Sequence, residues 1–133
     1  MNKHLDAEID AELAAAIESY CRALHEGDGA VLDTLCDDRF LMHWLGADGQ
    51  TKALDKAGFV ARVGGRDAFP GAPDFRVLRV SSASEDMAQV KVDVRVPPRV
   101  FCDELGFLRT AQGWRLITKV FRVADGPAME AKA

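Results

Sequence analysis

Asp103 and Lys119 are the residues of this chain hardest to explain as ordinary surface, because both fall inside an apolar hairpin whose register can be worked out by hand. They lie in FCDELGFLRTAQGWRLITKVFRV, residues 101–123, where two apolar-rich runs flank Thr110-Ala111-Gln112-Gly113. A glycine in the last place suits a type I turn closed by a left-handed residue, which gives a three-residue loop. That loop sets Thr110 opposite Trp114, Phe107 opposite Ile117, Leu105 opposite Lys119 and Asp103 opposite Phe121. Side-chain alternation then gathers Phe101, Leu105, Phe107, Ile117, Phe121 and Val123 on one surface, with Asp103 and Lys119 on a diagonal among them. An acid and a base among apolar side chains lose hydration unless they pair, so they mark either a buried structural pair or a ligand pocket.

Three further residues could take part in such a pocket. Tyr20 lies on the apolar stripe of an N-terminal helix, where a phenol is either core, with its hydroxyl bonded to a carbonyl, or a hydrogen-bond donor to a ligand. His43 sits between Leu41 and Leu45 on one face of a strand, which suits a core histidine or a base working near neutral pH. Phe59 falls on the apolar side of a short helix and is a candidate for the pocket wall. Metal binding is disfavoured, since His4, His25 and His43 have neither ligand spacing nor acids patterned around them. Cys21, Cys36 and Cys102 are odd in number and lack CxxC spacing, so they read as free thiols.

The elements that must position these residues follow from periodicity. Residues 6–26 carry Ile9, Leu13, Ile17, Tyr20 and Leu24 at threes and fours, a helix that Gly27 ends. Asp28 caps a short second helix over residues 29–36, with Val31, Leu32 and Leu35 inward. Residues 40–45 read as a strand folded back by Gly46-Ala47-Asp48-Gly49 toward residues 51–54. A third helix is expected near residues 55–63 and a Pro/Gly-rich loop over 66–74. From Phe75 the period becomes two: Val90, Val92, Val94 and Val96 alternate with Lys91, Asp93 and Arg95, until Pro97-Pro98 interrupts the ladder. Helices first and antiparallel strands after them indicate an α+β fold, a curved sheet with helices on one side.

Composition limits the alternatives. At 133 residues and 48% hydrophobic, the chain makes one domain, read as residues 1–123, followed by a small, charged and Pro/Gly-containing tail over 124–133 expected to be disordered. The net charge of −4, with basic residues scattered, gives no nucleic-acid surface. No signal peptide and no membrane span are found, so a cytoplasmic location is expected. The hairpin's second surface, Leu108, Trp114, Leu116 and Val120 with Cys102 and Arg122, is too apolar to face water; a second copy covering it would give a homodimer through the outer sheet face.

The order of these features resembles the nuclear transport factor 2-like superfamily, a cone-shaped fold shared by ketosteroid isomerase, polyketide cyclases and scytalone dehydratase. The likeness is closer to its putative lumazine-binding, SnoaL-like branch. It is carried by Tyr20 through Gly27-Asp28, by DGQTKALDKAGFVARVGGR, by FPGAPD, and by FCDELGFL followed by GWRLITKVF. The resemblance implies a curved antiparallel sheet with about three N-terminal helices packed on its concave side. Ketosteroid isomerase uses an Asp base, with a Tyr and a protonated Asp as oxyanion donors. Aligning Gly27-Asp28 on that group's GD puts Tyr20 on the oxyanion Tyr and His43 where the base should be. Leu105 falls where the protonated acid should be, with Asp103 one pleat away on the same face.

These readings leave two main function classes and a third. The first is a binding module whose cone pocket, lined by Tyr20, His43, Phe59, Leu105, Asp103, Lys119 and Phe121, takes a small, partly apolar molecule. The second is a cofactor-free isomerase, cyclase or dehydratase with His43 as base, Tyr20 as oxyanion donor, and Asp103 orienting the imidazole or acting as acid. A purely structural dimerisation domain would need the cone filled by side chains. The first is preferred, since the catalytic set is incomplete.

Overall fold

A computed structural model of the protein describes residues 10–129. Helix α1 (Ala11–Glu26) buries Leu13, Ile17, Tyr20 and Leu24 along one stripe, as the apolar spacing requires. Its start is fixed by the Asp10 carboxylate, which accepts from the Glu12 amide at 2.7 Å; the expected first turn at residues 6–9 lies outside the described residues. Gly27 ends it at φ +67°, and a Cβ there would come within 2.4 Å of the Arg66 carbonyl oxygen, so no other residue fits. Asp28 caps α2 (Gly29–Leu35) through the Val31 amide, and Asp55 caps α3 (Lys56–Gly64) through the Gly58 amide. The third helix turns Phe59 and Val63 inward.

Six strands form one curved sheet in the order β2-β1-β6-β5-β4-β3: β1 (Cys36–Leu45), β2 (Thr51–Asp55), β3 (Phe75–Ser84), β4 (Met87–Val96), β5 (Arg99–Thr110) and β6 (Gly113–Asp125). Neighbours run antiparallel except β1 and β6, which are parallel. The helices' apolar stripes and the inward residues of the sheet make one core, with Val90, Val92, Leu105, Phe107 and Leu116 fully buried. Strand β1 begins four residues before the expected position, because Asp37, Asp38 and Arg39 occupy an irregular stretch where alternation is lost.

The hairpin β5–β6 differs from the register expected from its sequence at the tip and agrees with it lower down. The turn has two residues, with Gly113 at φ +98°, so Thr110 faces Gly113 and Phe107 faces Leu116. A bulge at Ile117 then advances β6 by one residue, so Leu105 faces Lys119 and Asp103 faces Phe121. The extra residue also exchanges faces near the tip: Trp114 and Leu116 are buried, and Ile117 is only half-buried. The face expected to be wholly outward therefore keeps Leu108 and Val120 exposed but surrenders Trp114 and Leu116 to the core.

Pro97-Pro98, joined by a cis peptide bond, forms the tight turn between β4 and β5, where Val96 faces Arg99. Residues 124–129, read from the sequence as the start of a disordered tail, are placed. Ala124 and Asp125 continue β6, Arg99 donates from Nε to the Pro127 carbonyl (2.9 Å) and from Nη2 to that of Ala128 (3.1 Å), and Met129 is buried. The remainder of that expected tail, residues 130–133, lies outside the described residues.

Candidate functional site

The bulge-corrected register sends Asp103 and Lys119 to the same, inner face of the sheet. Both are buried, with Lys119 Nζ 3.7 Å from Asp103 Oδ2. The same oxygen accepts a short hydrogen bond from the Tyr20 hydroxyl, delivered by the middle of α1. Lys119 Nζ lies over the rings of Phe59 (4.6 Å), Phe121 (4.8 Å) and Tyr20 (5.3 Å), so aromatic faces surround its cation wherever Asp103 does not. Burial dominates the ionisation of all three groups. It raises the Asp103 carboxyl despite the opposing charge of Lys119, lowers the Lys119 ammonium despite that of Asp103, and raises the Tyr20 phenol, which the Asp103 charge raises further. Tyr20 therefore stays protonated and acts as a donor.

Above Lys119 lies a cavity of about 290 Å³. Its apolar wall comes from Met42 on β1, Phe59 and Val63 on α3, and Phe101 and Phe121 on the β5–β6 hairpin. Its polar lining consists of Arg62, Arg66, Arg99 and Lys119, and among the described residues no carboxylate side chain contributes to it. Tyr20, Asp103 and Leu105 sit behind this surface as support: none lines the cavity, and each is fully buried. Concave, mostly apolar walls with a few charged groups converging on them describe a small-ligand site, here near the small end of the usual size range.

Comparison with known proteins gives this architecture a place. The family described as "Putative lumazine-binding" matches residues 8–122, almost the whole described domain. The chain belongs to that family. Similar folds occur in a nuclear transport factor 2-like protein of unknown function from Silicibacter pomeroyi, with a TM-score of 0.78 at 24% identity over 89% of this chain and 98% of that one. A second such protein of unknown function, from Shewanella baltica, has a TM-score of 0.79 at 10% identity, covering 87% and 94%. A cystatin-like fold protein from Burkholderia xenovorans has a TM-score of 0.65 at 18% identity, covering 88% and 92%. At these identities the solved structures establish the fold alone. No curated protein matches the chain.

Within this putative lumazine-binding domain, the residues singled out in the sequence divide into two groups. Tyr20, Phe59, Asp103, Lys119 and Phe121 come together around the cavity or directly beneath it. Leu105 stands opposite Lys119 in the hairpin and packs in the core below. His43 does not join them, which corrects its candidate role as base. In β1, Met42 and Trp44 are buried and the residues between and beside them are exposed, so the imidazole shares the outer face with Leu41 and Leu45. It stands beside Val120 in the parallel β1–β6 pairing, on the side of the sheet away from Lys119. The Tyr20 hydroxyl is bonded to Asp103, and neither Tyr20 nor His43 lines the cavity.

The arginines are the feature that sequence reasoning missed. Arg99, Phe101 and Asp103 are spaced by two, so the face that carries Phe101 inward must carry Arg99 as well. Arg62 is three residues beyond Phe59 on the same side of α3, and Arg66 follows just past the Gly65 cap that ends it. Both signals were present in the sequence; each needed the third helix and the hairpin to be set against one another before it meant anything.

Proposed function

We propose that this protein binds a small, partly apolar molecule in the cavity above Lys119 and works as a homodimer through the outer face of the sheet. The observation that carries the binding reading is the 290 Å³ space itself, walled by Phe59, Phe101 and Phe121 and floored by a lysine whose position is fixed from below. A purely structural domain would fill that space with side chains. The family's description is in keeping with a small-molecule ligand.

The homodimer reading is supported by the outer sheet face, where Leu41, Leu45, Leu108 and Val120 are between 41% and 68% exposed. A cytoplasmic location accords with three free cysteines, two of them buried. No helix among the described residues is long and apolar enough to cross a membrane.

The test is a titration with 2-naphthol followed by amide chemical shifts. The expected result is a set of perturbations confined to the backbone around Phe59, Phe101, Lys119 and Phe121, and abolished by Val63→Trp, which fills the cavity. Shifts that spread over the outer face, or that are absent with both 2-naphthol and its carboxylate counterpart 2-naphthoate, would refute the binding reading.

A further inference from the structure

The cavity's charge is at odds with the rest of the molecule. The chain carries a formal net charge of −4, yet the cavity lining presents four cations and, among the described residues, no acid. Elsewhere Arg22 meets Glu18, Arg79 meets Glu104 and Arg109 meets Asp10, while Arg115 is held by the carbonyls of Leu35 and Cys36. Inside the cavity Lys119 has a carboxylate of its own, Asp103, whereas Arg66 and Arg99 are met by carbonyl oxygens.

Arg66 and Arg99 are held in place by carbonyl oxygens rather than by acids. Arg66 donates from Nη2 to the Leu24 carbonyl at the end of α1 (2.6 Å), and its guanidinium lies 4.9 Å above the Phe69 ring. Its Nη1 is buried and has no hydrogen-bond partner, the kind of open donor that folded proteins rarely leave. Arg99 spends Nε and Nη2 on Pro127 and Ala128. These bonds fix the two side chains without neutralising them, so a bound anion would meet guanidinium groups already oriented. Burial, and after it the neighbouring positive charge, lowers the ionisation range of both Arg62 and Arg66: Arg99 acts on Arg62, and Arg62 on Arg66.

We propose that the molecule bound here is a small organic anion, a carboxylate on an apolar body, with its charged end against Arg66 and Arg99 and its body against Phe59, Phe101 and Phe121. This rests on the binding reading above and adds the chemical class of the ligand. The carboxylate could come from an aromatic acid or from a short acyl chain. Either presents a planar anion that a guanidinium matches edge to edge.

Trp44 provides the readout, since its ring lies 5.3 Å from that of Phe121 and is itself buried. The full chain is titrated with 2-naphthoate, octanoate and the neutral isostere 2-naphthamide, following emission at a wavelength where the ligands do not absorb, with Trp114→Phe as background. One of the two acids should bind at least about tenfold more tightly than the amide, with an advantage that shrinks as salt is raised. The tighter acid identifies the aromatic or acyl source. Arg99→Gln should weaken the acid about tenfold and the amide less than about twofold, while Arg99→Lys, which keeps the charge, recovers part of the loss. Melting temperatures of both variants are measured alongside; should Arg99→Gln fail to fold, the comparison of acid with amide on the unaltered cavity decides alone. Equal affinity for acid and amide overturns the anion assignment while leaving the cavity reading in place. Failure of all three ligands to bind overturns both.

Discussion

Replacing Lys119 by leucine separates the buried ion pair from the packing around it. Leucine keeps apolar bulk against Phe59, Tyr20 and Phe121 but removes the ammonium 3.7 Å from Asp103 Oδ2. Asp103 is then wholly buried with one hydroxyl donor, and its Oδ1 already has no partner. Burial already raises its carboxyl and Lys119 was the largest influence opposing this, so in the variant the group stays protonated in the native state. The unfolded chain ionises it near pH 3.9. Holding it neutral therefore costs about 1.4 kcal/mol for each pH unit above that, which bounds the loss at about 4 kcal/mol at pH 7 and about 1.5 kcal/mol at pH 5, because the parent, whose carboxyl burial already raises, bears part of the same cost. This agrees with the roughly 3–5 kcal/mol seen when one partner of a buried pair is removed. The sign is fixed by the raised native value: the variant is closest to the parent in acid and loses ground as pH rises. Urea unfolding at pH 5, 6 and 7 should show that slope, and the melting temperature at pH 7 should fall by roughly 10 °C. Adding Asp103→Leu should recover most of the loss. A Lys119→Leu variant within about 1 kcal/mol of the parent, with no dependence on pH, would refute the coupling of these two groups.

His43→Ala should change stability by no more than about 0.5 kcal/mol, because the ring is exposed on the outer face; a loss of several degrees in melting temperature would place it in packing instead. Val120→Glu puts a charge at the centre of the proposed dimer face, where the residue is 54% exposed, and should yield a folded monomer by sedimentation equilibrium. An unchanged dimer, or a parent protein that is already monomeric, counts against association through that face. In native protein at pH 8, iodoacetamide should modify Cys102 ahead of Cys21 and Cys36, whose thiols burial pushes up to about 12; equal labelling by mass spectrometry would contradict that order.

How much of this was legible in the chain depends on the range over which each signal acts. The caps at Asp28 and Gly27 and the alternation of Val90, Val92 and Val94 are local, and they specify helix ends and strand faces directly. The pairing of Asp103 with Lys119 was readable because a hairpin is also local, and it survived a misjudged turn only because the bulge at Ile117 shifts β6 back by the one residue the turn omits. His43 was misplaced for the opposite reason. The alternation in β1 shows that His43 shares a face with Leu41 and Leu45, but which face is inner depends on β6 pairing beside it in parallel. The exposed leucines on both sides made the wrong face look like core.

The same reasoning explains why the acid and the lysine lie beneath the cavity rather than within it. Lys119, Arg66 and Arg99 all line the same space of about 290 Å³. Asp103 offsets the charge of Lys119 from behind through the oxygen that Tyr20 also bonds, and the carboxylate itself does not line the cavity. The positive charge that carbonyl oxygens hold without neutralising is that of Arg66 and Arg99, while the floor stays apolar in its ring faces. A molecule with one charged end is thereby given a direction, and Lys119→Leu and Arg99→Gln should separate the two ends. The first acts on stability with a slope in pH, and the second on affinity for the acid with little effect on the amide. Arginine and lysine variants that behaved alike in both measurements would mean that the cavity has no such polarity.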